Sequence, residues 1–219
     1  MTYRPTVGEI LQAKGVSRRG FLKYCATTAS LLALPPSMIP RIAEAIENAR
    51  RPSVIWLSFQ ECTGCTESLT RSASPTVEGL IFDAISLDYH HTLQAASGEQ
   101  AEAARHAAME ENDGSYLVLV DGSIPMANPG YSTIAGISNV DMLMDTVKGA
   151  AAVVAIGSCA AFGGLPGADP NPTGAVSVQD LVKDKPVVNV PGCPPIPMVM
   201  TAVLTQFLTL SLIHISEPT

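Results

Sequence analysis

The chain has 219 residues, of which 47% are hydrophobic and only 15% are charged, and its formal net charge is −7. This length and composition allow one substantial core, which favours a single compact domain over a small disulfide-rich module. Residues 1–45 carry six Lys and Arg against two Glu, whereas the rest of the chain carries 7 basic and 18 acidic residues. This acidic body excludes nucleic acid as an expected partner.

The first 45 residues have the organisation of an export signal. Ser17-Arg18-Arg19-Gly20-Phe21-Leu22-Lys23 precedes the apolar stretch Tyr24–Leu34, which is too short to span a bilayer. A small-x-small site at Ala43-Glu44-Ala45 predicts cleavage before Ile46. The paired arginines resemble the twin-arginine type, whose substrates fold before export, often around a cofactor. We therefore expect a twin-arginine signal peptide at 1–45, the twin-arginine export machinery as a partner, and a mature protein in the periplasm or at the periplasmic face of the cytoplasmic membrane.

After the leader, short apolar runs alternate with amphipathic stretches, a pattern typical of α/β proteins. The pattern predicts strands at 53–59, 80–87, 116–120, 150–156 and 186–190, and helices from about residue 66 and at 94–111, 137–147, 176–182 and 196–210. Such a series forms a parallel sheet covered by helices on both faces. Two loops rich in Gly and Pro, 121–136 and 163–173, are long enough to indicate function.

Four cysteines of the predicted mature chain occupy equivalent places in this series. Cys62 and Cys65 follow the first predicted strand, Cys159 follows the fourth and Cys193 follows the last, whereas Cys25 lies in the leader. Ligands of open parallel sheets bind outside the carboxyl ends of the strands, near the switch in strand order. The four thiols are therefore expected to share one edge of the sheet.

Several kinds of chemistry use such a set of thiols. Structural zinc sites usually draw their ligands as two close pairs, whereas this chain offers one C-x-x-C pair and two single cysteines. An iron–sulfur cluster is larger, and cysteines from three loops reach its corners. The spacing favours a 4Fe–4S cluster, then zinc, and then a thioredoxin-like dithiol, which leaves Cys159 and Cys193 unexplained. Two disulfides are a further interpretation for an exported protein.

Short sequences around these cysteines carry a more specific resemblance. They are Glu61-Cys-Thr-Gly-Cys-Thr-Glu-Ser68, Leu87-Asp-Tyr-His90, Gly157-Ser-Cys-Ala160, Pro170-Asn-Pro-Thr173 and Pro191-Gly-Cys-Pro-Pro195. In this order, and together with the leader and Ile46-Glu47-Asn48, they resemble the small subunit of nickel–iron hydrogenases of the periplasmic or membrane-bound uptake type. The resemblance extends from about Arg18 to about Thr209.

The resemblance implies a fold, a cofactor and partners. The fold is a single-domain, flavodoxin-like, doubly wound parallel sheet at 46–209, in which Cys62, Cys65, Cys159 and Cys193 ligate the proximal 4Fe–4S cluster. The main partner is a large subunit whose nickel–iron centre splits dihydrogen, with a cytochrome or quinone-linked acceptor downstream. Hydrogenase activity requires that large subunit, so this chain alone is expected to be inactive.

The chain departs from the family at its C-terminal end. The cysteines and histidine for the family's medial 3Fe–4S and distal 4Fe–4S clusters are not encoded in this chain, and residues 210–219 are off pattern. We interpret the chain as a C-terminally truncated small subunit with an artefactual tail.

Two alternatives to this function stay open. One is the related iron–sulfur subunit of a quinone oxidoreductase, although that family carries adjacent cysteines in place of C-x-x-C and lacks the leader. The other is an exported binding domain stabilised by zinc or disulfides.

Among the remaining polar residues, His90 and His91 are expected to be satisfied surface or hinge histidines.

Overall fold

A computed structural model describes residues 6–31, 35–48, 51–73 and 76–204. These residues belong to two compact units, one with the chain up to Arg51 and from Leu204, and the other with Pro52–Val203. The predicted tail at 210–219 lies outside the described residues. Within the described part of the chain, no helix is long and apolar enough to cross a membrane.

The N-terminal unit is helical. It contains α1 (Val7–Ala13), α2 (Arg18–Leu31) and α3 (Ile39–Asn48), with a 3₁₀ turn at Pro36–Met38. Helix α2 begins at the paired arginines, and its residues Phe21, Cys25 and Ala29 are buried in one cluster with Ala43 of α3. The predicted cleavage site at 43–45 lies within α3. The signal peptide stays a prediction, because it concerns processing rather than fold.

The larger unit is built on a five-stranded parallel sheet. In chain order the strands of this unit are β1 (Ser53–Ser58), β2 (Ser86–His90), β3 (Tyr116–Asp121), β4 (Ile124–Pro125), β5 (Thr133–Ile134), β6 (Ile137–Ser138), β7 (Ala150–Ile156), β8 (Ala175–Val176) and β9 (Val187–Val190). The parallel strands lie in the order β2-β1-β3-β7-β9. Numbered along the chain, this is the order 2-1-3-4-5 of flavodoxin-like doubly wound sheets, which confirms the predicted fold class.

Helices connect these strands and cover the sheet. They are α4 (Gly64–Thr70), α5 (Val77–Gly79), α6 (Gly98–Glu111), α7 (Asn139–Thr146), α8 (Gly157–Phe162) and α9 (Val178–Leu181), and residues 197–204 are also helical. Ile55 and Leu57, two residues apart in β1, point to the same face of the sheet and share a core with Ala101 and Ala108 of α6 and Leu143 of α7. Every residue of β1 and β3 is buried, as expected of central parallel strands.

The predicted strand at 80–87 is wrong. Leu80–Ala84 forms a π-helical turn that continues from α5, and β2 begins only at Ser86. The Thr76 side chain caps α5 by accepting a hydrogen bond from the Gly79 amide, and the apolar run then continues as helix with Leu80 buried. Periodicity alone does not distinguish helix from strand in so short an apolar run.

Other predicted boundaries shift by a few residues. Helix α6 starts at Gly98 rather than at residue 94, and α7 starts at Asn139 because the Ser138 side chain caps it. Part of the predicted loop 121–136 forms β4, which pairs with β8, and β5, which pairs with β6 at the start of the predicted helix 137–147. The predicted last helix is present at 197–204, and its remainder lies outside the described residues.

A buried ion network joins α6 to α7. Only 1% of the Arg105 side chain is exposed, and its guanidinium donates to Glu102 at 2.9 Å, to Asp145 at 3.3 Å and to the Thr146 hydroxyl at 2.7 Å. Lys148 also pairs with Asp145, at 3.1 Å, but 74% of its side chain is exposed. Two cations thus contact the same carboxylate, one from the core and one from the surface.

Arg105→Ala is expected to lower the free energy of unfolding by about 3–5 kcal/mol, because it leaves Glu102 in the interior without its cation. Lys148→Ala removes the surface cation from the same Asp145 and is expected to cost about 0–1 kcal/mol. Urea denaturation of the full chain measures both variants. Equal losses would show that the buried network does not hold α6 against α7.

Candidate metal centre

The four cysteines lie where parallel strands end. Strand β1 ends four residues before Cys62, β7 ends three residues before Cys159, and β9 ends three residues before Cys193. Because these strands are parallel, their carboxyl ends meet at one edge of the sheet. Strand order switches between β1 and β3, since β2 pairs with the outer side of β1. The cysteines therefore surround the position at which such sheets bind ligands.

A tight turn at the start of α4 holds the first cysteine pair. Thr63 has a left-handed backbone with φ 66°, and α4 begins at Gly64, so that Cys65 lies in the first helical turn. A Cβ atom added to Gly64 would lie 3.2 Å from the Cys62 Sγ. Cys62 is exposed and Cys65 is half-buried. One thiol of the pair is open to solvent, and the other is partly enclosed.

Gly157 brings the turn between β7 and α8 against this pair. Its backbone is left-handed with φ 87°, and a Cβ atom there would lie 2.5 Å from the Cys65 Sγ. Only glycine permits this approach, because any side chain would overlap the sulfur. Cys159 lies two residues further on, and a Cβ atom at Gly164 would lie 2.6 Å from its Sγ. Glycine backbone therefore lies against both sulfurs.

Backbone hydrogen bonds place the Cys193 loop beside the other two. The Ser158 amide donates to the Gly192 carbonyl at 2.7 Å, and the Gly192 amide donates to the Ser158 hydroxyl at 3.2 Å. The Ser68 hydroxyl of α4 donates to the Pro195 carbonyl at 2.7 Å. The neighbours of Cys193 are thus bonded both to the residue before Cys159 and to the helix that carries Cys65.

The thiols lie close enough to perturb one another. Burial raises the pKa of Cys65 to about 12, and the charges of Asp121 and of neighbouring thiols add to this effect. Burial also raises the pKa of Cys159, and the charges of Cys193 and Cys62 act in the same direction. All five cysteines of the chain are free. The structure thus brings the four predicted cysteines together as thiols, while their role as ligands stays a prediction.

The arrangement of the four thiols indicates which kind of metal centre they could bind. Among the described residues, no three or more His, Cys, Asp or Glu side chains lie close enough together to hold a single metal ion. The thiols instead come from three loops around an open edge. Four cysteine thiolates are the donor set of a 4Fe–4S cluster, and because each binds a different iron, they lie further apart than the ligands of one ion. The residues present fit such a cluster.

Two carboxyl groups lie in the same region. Asp121 ends β3 and is fully buried, and Glu61 lies in the loop that follows β1. Burial raises the pKa of Glu61 to about 7, and the charge of Asp121 adds to this shift. Burial also raises the pKa of Asp121, whereas hydrogen bonds from Ser58, Trp56 and Thr66 lower it. Asp121 is not among the residues predicted for the site, since the sequence pattern places it only at the start of a loop.

The expectation that His90 lies at the surface is wrong. Its exposure is 1%, its ring lies 5.0 Å from the Trp56 ring, and its Nε2 lies 3.3 Å from the Thr66 hydroxyl. Thr66 is the residue after Cys65, so the Thr66 hydroxyl connects His90 to the loop that carries the first cysteine pair. His90 is the last residue of β2 and Asp121 is the last residue of β3, and a polar residue at the carboxyl end of a strand is the sequence signal that would have found both.

Comparison with known proteins identifies a family that this chain matches. The sequence model of the family described as NADH ubiquinone oxidoreductase, 20 Kd subunit, matches residues 62–207. This span contains all four cysteines of the site.

Individual relatives are hydrogenase small subunits. The Hydrogenase-2 small chain of Escherichia coli (strain K12) is 46% identical over 201 residues, which cover 91% of this chain and 54% of that protein. The Periplasmic NiFe hydrogenase small subunit 1 of Nitratidesulfovibrio vulgaris is 44% identical over 203 residues, which cover 91% of this chain and 64% of that protein. A solved chain of the Ni-Fe-Se hydrogenase from Desulfomicrobium baculatum superposes with a TM-score of 0.73 at 34% identity, covering 77% of this chain and 66% of that chain.

The chain spans about half the length of the curated relatives it matches. The family model matches more than half of the chain. The chain therefore belongs to the family of the 20 Kd subunit of NADH ubiquinone oxidoreductase and, within it, to the small subunits of nickel–iron hydrogenases.

Proposed function

We propose that this chain is the electron-transfer small subunit of a nickel–iron hydrogenase, and that Cys62, Cys65, Cys159 and Cys193 hold its proximal 4Fe–4S cluster. The observation that carries the proposal is the convergence of four free thiols from three loops at the strand-order switch. A 4Fe–4S cluster takes up and releases one electron at a time. The site would thus receive the electrons that dihydrogen oxidation releases at the nickel–iron centre of a large subunit.

The chain's own contribution is to keep the sulfurs accessible and surrounded by polar backbone. Gly64, Gly157 and Gly164 leave no side chain between the backbone and a cysteine sulfur. Backbone amides can therefore approach the sulfurs, and hydrogen bonds of this kind stabilise a reduced iron–sulfur cluster.

Exposed apolar side chains support the large subunit as the partner. Phe162 is 67% exposed and Leu165 is 84% exposed, three and six residues after Cys159, and Ile196 is 66% exposed, three residues after Cys193. Large apolar side chains grouped around a site are typical of a surface that another protein covers. The names of the relatives, small chain and small subunit, also imply a larger partner.

The proposed location is the periplasm or the periplasmic face of the cytoplasmic membrane, after export through the twin-arginine machinery. The paired arginines at the start of α2 and the name of the periplasmic relative support it. A cytochrome or quinone-linked protein is the proposed acceptor of the electrons.

A second candidate is an iron–sulfur subunit of a quinone oxidoreductase, because the matching family bears that description. The C-x-x-C spacing and the hydrogenase relatives favour the first candidate. Co-production with the large subunit separates the two: hydrogen-dependent dye reduction supports the hydrogenase, and its absence in a fully loaded complex contradicts it.

Anaerobic reconstitution of the full chain is expected to give about four iron and four sulfide per chain. Cys193→Ala is expected to lose most of this iron, and with it association with the large subunit, because one corner of the cluster loses its ligand. Cys25→Ala is the matched control, since Cys25 belongs to the other compact unit, and it should keep the iron.

Iron and sulfide analysis, with EPR of the reduced chain, measures these variants. One zinc per chain in place of iron, or full iron content in Cys193→Ala, would contradict the assignment of the ligands.

In the metal-free chain, iodoacetamide is expected to modify Cys62 and Cys193 before Cys65. The thiolate is the nucleophile, and a pKa of about 12 in place of 9.0 leaves Cys65 with about a thousandfold less thiolate at neutral pH. Cys62 and Cys193 are also exposed. Mass spectrometry of the alkylated peptides gives the order of reaction, and equal rates for Cys62 and Cys65 would contradict the enclosed position of Cys65.

A further inference from the structure

We propose that the buried carboxylate of Asp121 sets the reduction potential of the group held by the cysteines, and that Trp56, Thr66 and His90 hold this carboxylate in its charged form. The inference rests on the proposed function, because it presupposes a redox group at the four thiols. It concerns a positioning residue rather than a ligand.

The position of Asp121 suits this role. It is the last residue of β3, at the switch in strand order, and its exposure is 0%. Strand β3 lies between β1 and β7, so the loops that carry Cys65 and Cys159 leave the sheet on either side of Asp121. Thr66, which adjoins Cys65, donates its hydroxyl proton to Asp121 Oδ2 at 3.4 Å. The carboxylate is thus bonded to the cysteine loop and shielded from water.

In the series of hydrogen bonds from Thr92 through His90 and Thr66 to Asp121, each group donates to the next one. The Thr92 amide donates to His90 Nδ1 at 3.3 Å, so this nitrogen carries no proton. Burial lowers the pKa of His90 to about 4, so its ring is neutral and carries its one proton on Nε2. This tautomer, assigned from the bonding pattern, donates from Nε2 to the Thr66 hydroxyl oxygen over 3.3 Å. The hydroxyl proton of Thr66 is then directed to Asp121.

The other oxygen of the carboxylate has its own donor. Trp56 Nε1 donates to Asp121 Oδ1 at 3.0 Å, and an indole nitrogen can only donate. The hydroxyls of Ser58 and Thr66 also face this carboxyl group, and their hydrogen bonds, like that of Trp56, lower its pKa against the effect of burial, which raises it. Hydrogen bonds to the charged form stabilise it against the cost of burial.

A buried negative charge disfavours the addition of an electron to a group nearby. Reduction adds one electron to the group at the thiols, and a buried carboxylate nearby raises the free energy of the reduced form. Removal of the charge should therefore raise the reduction potential. A unit charge within about 10 Å, at an effective dielectric constant near 20, changes such an equilibrium by roughly tenfold or more.

The test is an EPR-monitored redox titration of the full chain, reconstituted anaerobically with iron and sulfide. Asp121→Asn removes the charge and is expected to raise the ratio of reduced to oxidised chain roughly tenfold at a fixed potential, which corresponds to about 59 mV for one electron. Trp56→Phe removes one of the donors that favour the charged form, so its potential is expected to rise by less than that of Asp121→Asn. Glu110→Gln removes an exposed carboxylate near the far end of α6 and is expected to change nothing.

The outcomes separate this inference from the proposed function. An unchanged potential in Asp121→Asn overturns the role of Asp121 and leaves the cluster assignment standing, and an unchanged potential in Trp56→Phe overturns the role of the Trp56 hydrogen bond. If the Asp121→Asn chain takes up no iron, Thr66→Val replaces it: this variant removes a donor to the carboxylate, so its potential is expected to rise, and an unchanged potential overturns the inference. An unmodified chain that binds no iron overturns both proposals.

Discussion

The contact between the Gly157 backbone and the Cys65 sulfur is the constraint on which the rest of the site depends. Strands β1 and β7 are separated by β3, so their loops can meet only above the end of β3. That end is Asp121, and the next residue, Gly122, turns so close to the chain that a Cβ atom there would lie 2.9 Å from the Gln60 backbone. Closing the two cysteine loops over β3 therefore buries a carboxylate beneath them.

The sequence predicted the parallel sheet and the edge that carries the cysteines, because both follow from the direction of the chain. Continuous apolar runs mark buried parallel strands, and any residue just past such a strand must lie at the carboxyl edge. The same pattern gave a wrong prediction at 80–87, where the short apolar run Leu80-Ile81-Phe82 suits a helical turn as well as a strand. It also missed His90 and Asp121, since their burial depends on hydrogen bonds to Thr66 and Trp56, which are distant in sequence.

Two buried side chains that can carry charge, Arg105 and Asp121, differ in the partners that surround them. Arg105 is enclosed by α6 and α7, and carboxylates and a hydroxyl meet its guanidinium. Asp121 accepts hydrogen bonds from two neutral donors, Trp56 and Thr66. A charge balanced by opposite charges stabilises packing but creates little field beyond itself, whereas a charge solvated only by dipoles retains its field at the cysteine edge.

The order of the cysteine loops along the chain also has a consequence for biosynthesis. Cys193 follows β9, the last strand of the sheet, and its loop is held by bonds to Ser158 and Ser68. A ribosome delivers these parts in sequence, so the fourth sulfur emerges only when every strand has been made. Any prosthetic group that needs all four sulfurs must accordingly be delivered to a finished sheet, through the open rim, rather than be enclosed by the growing polypeptide.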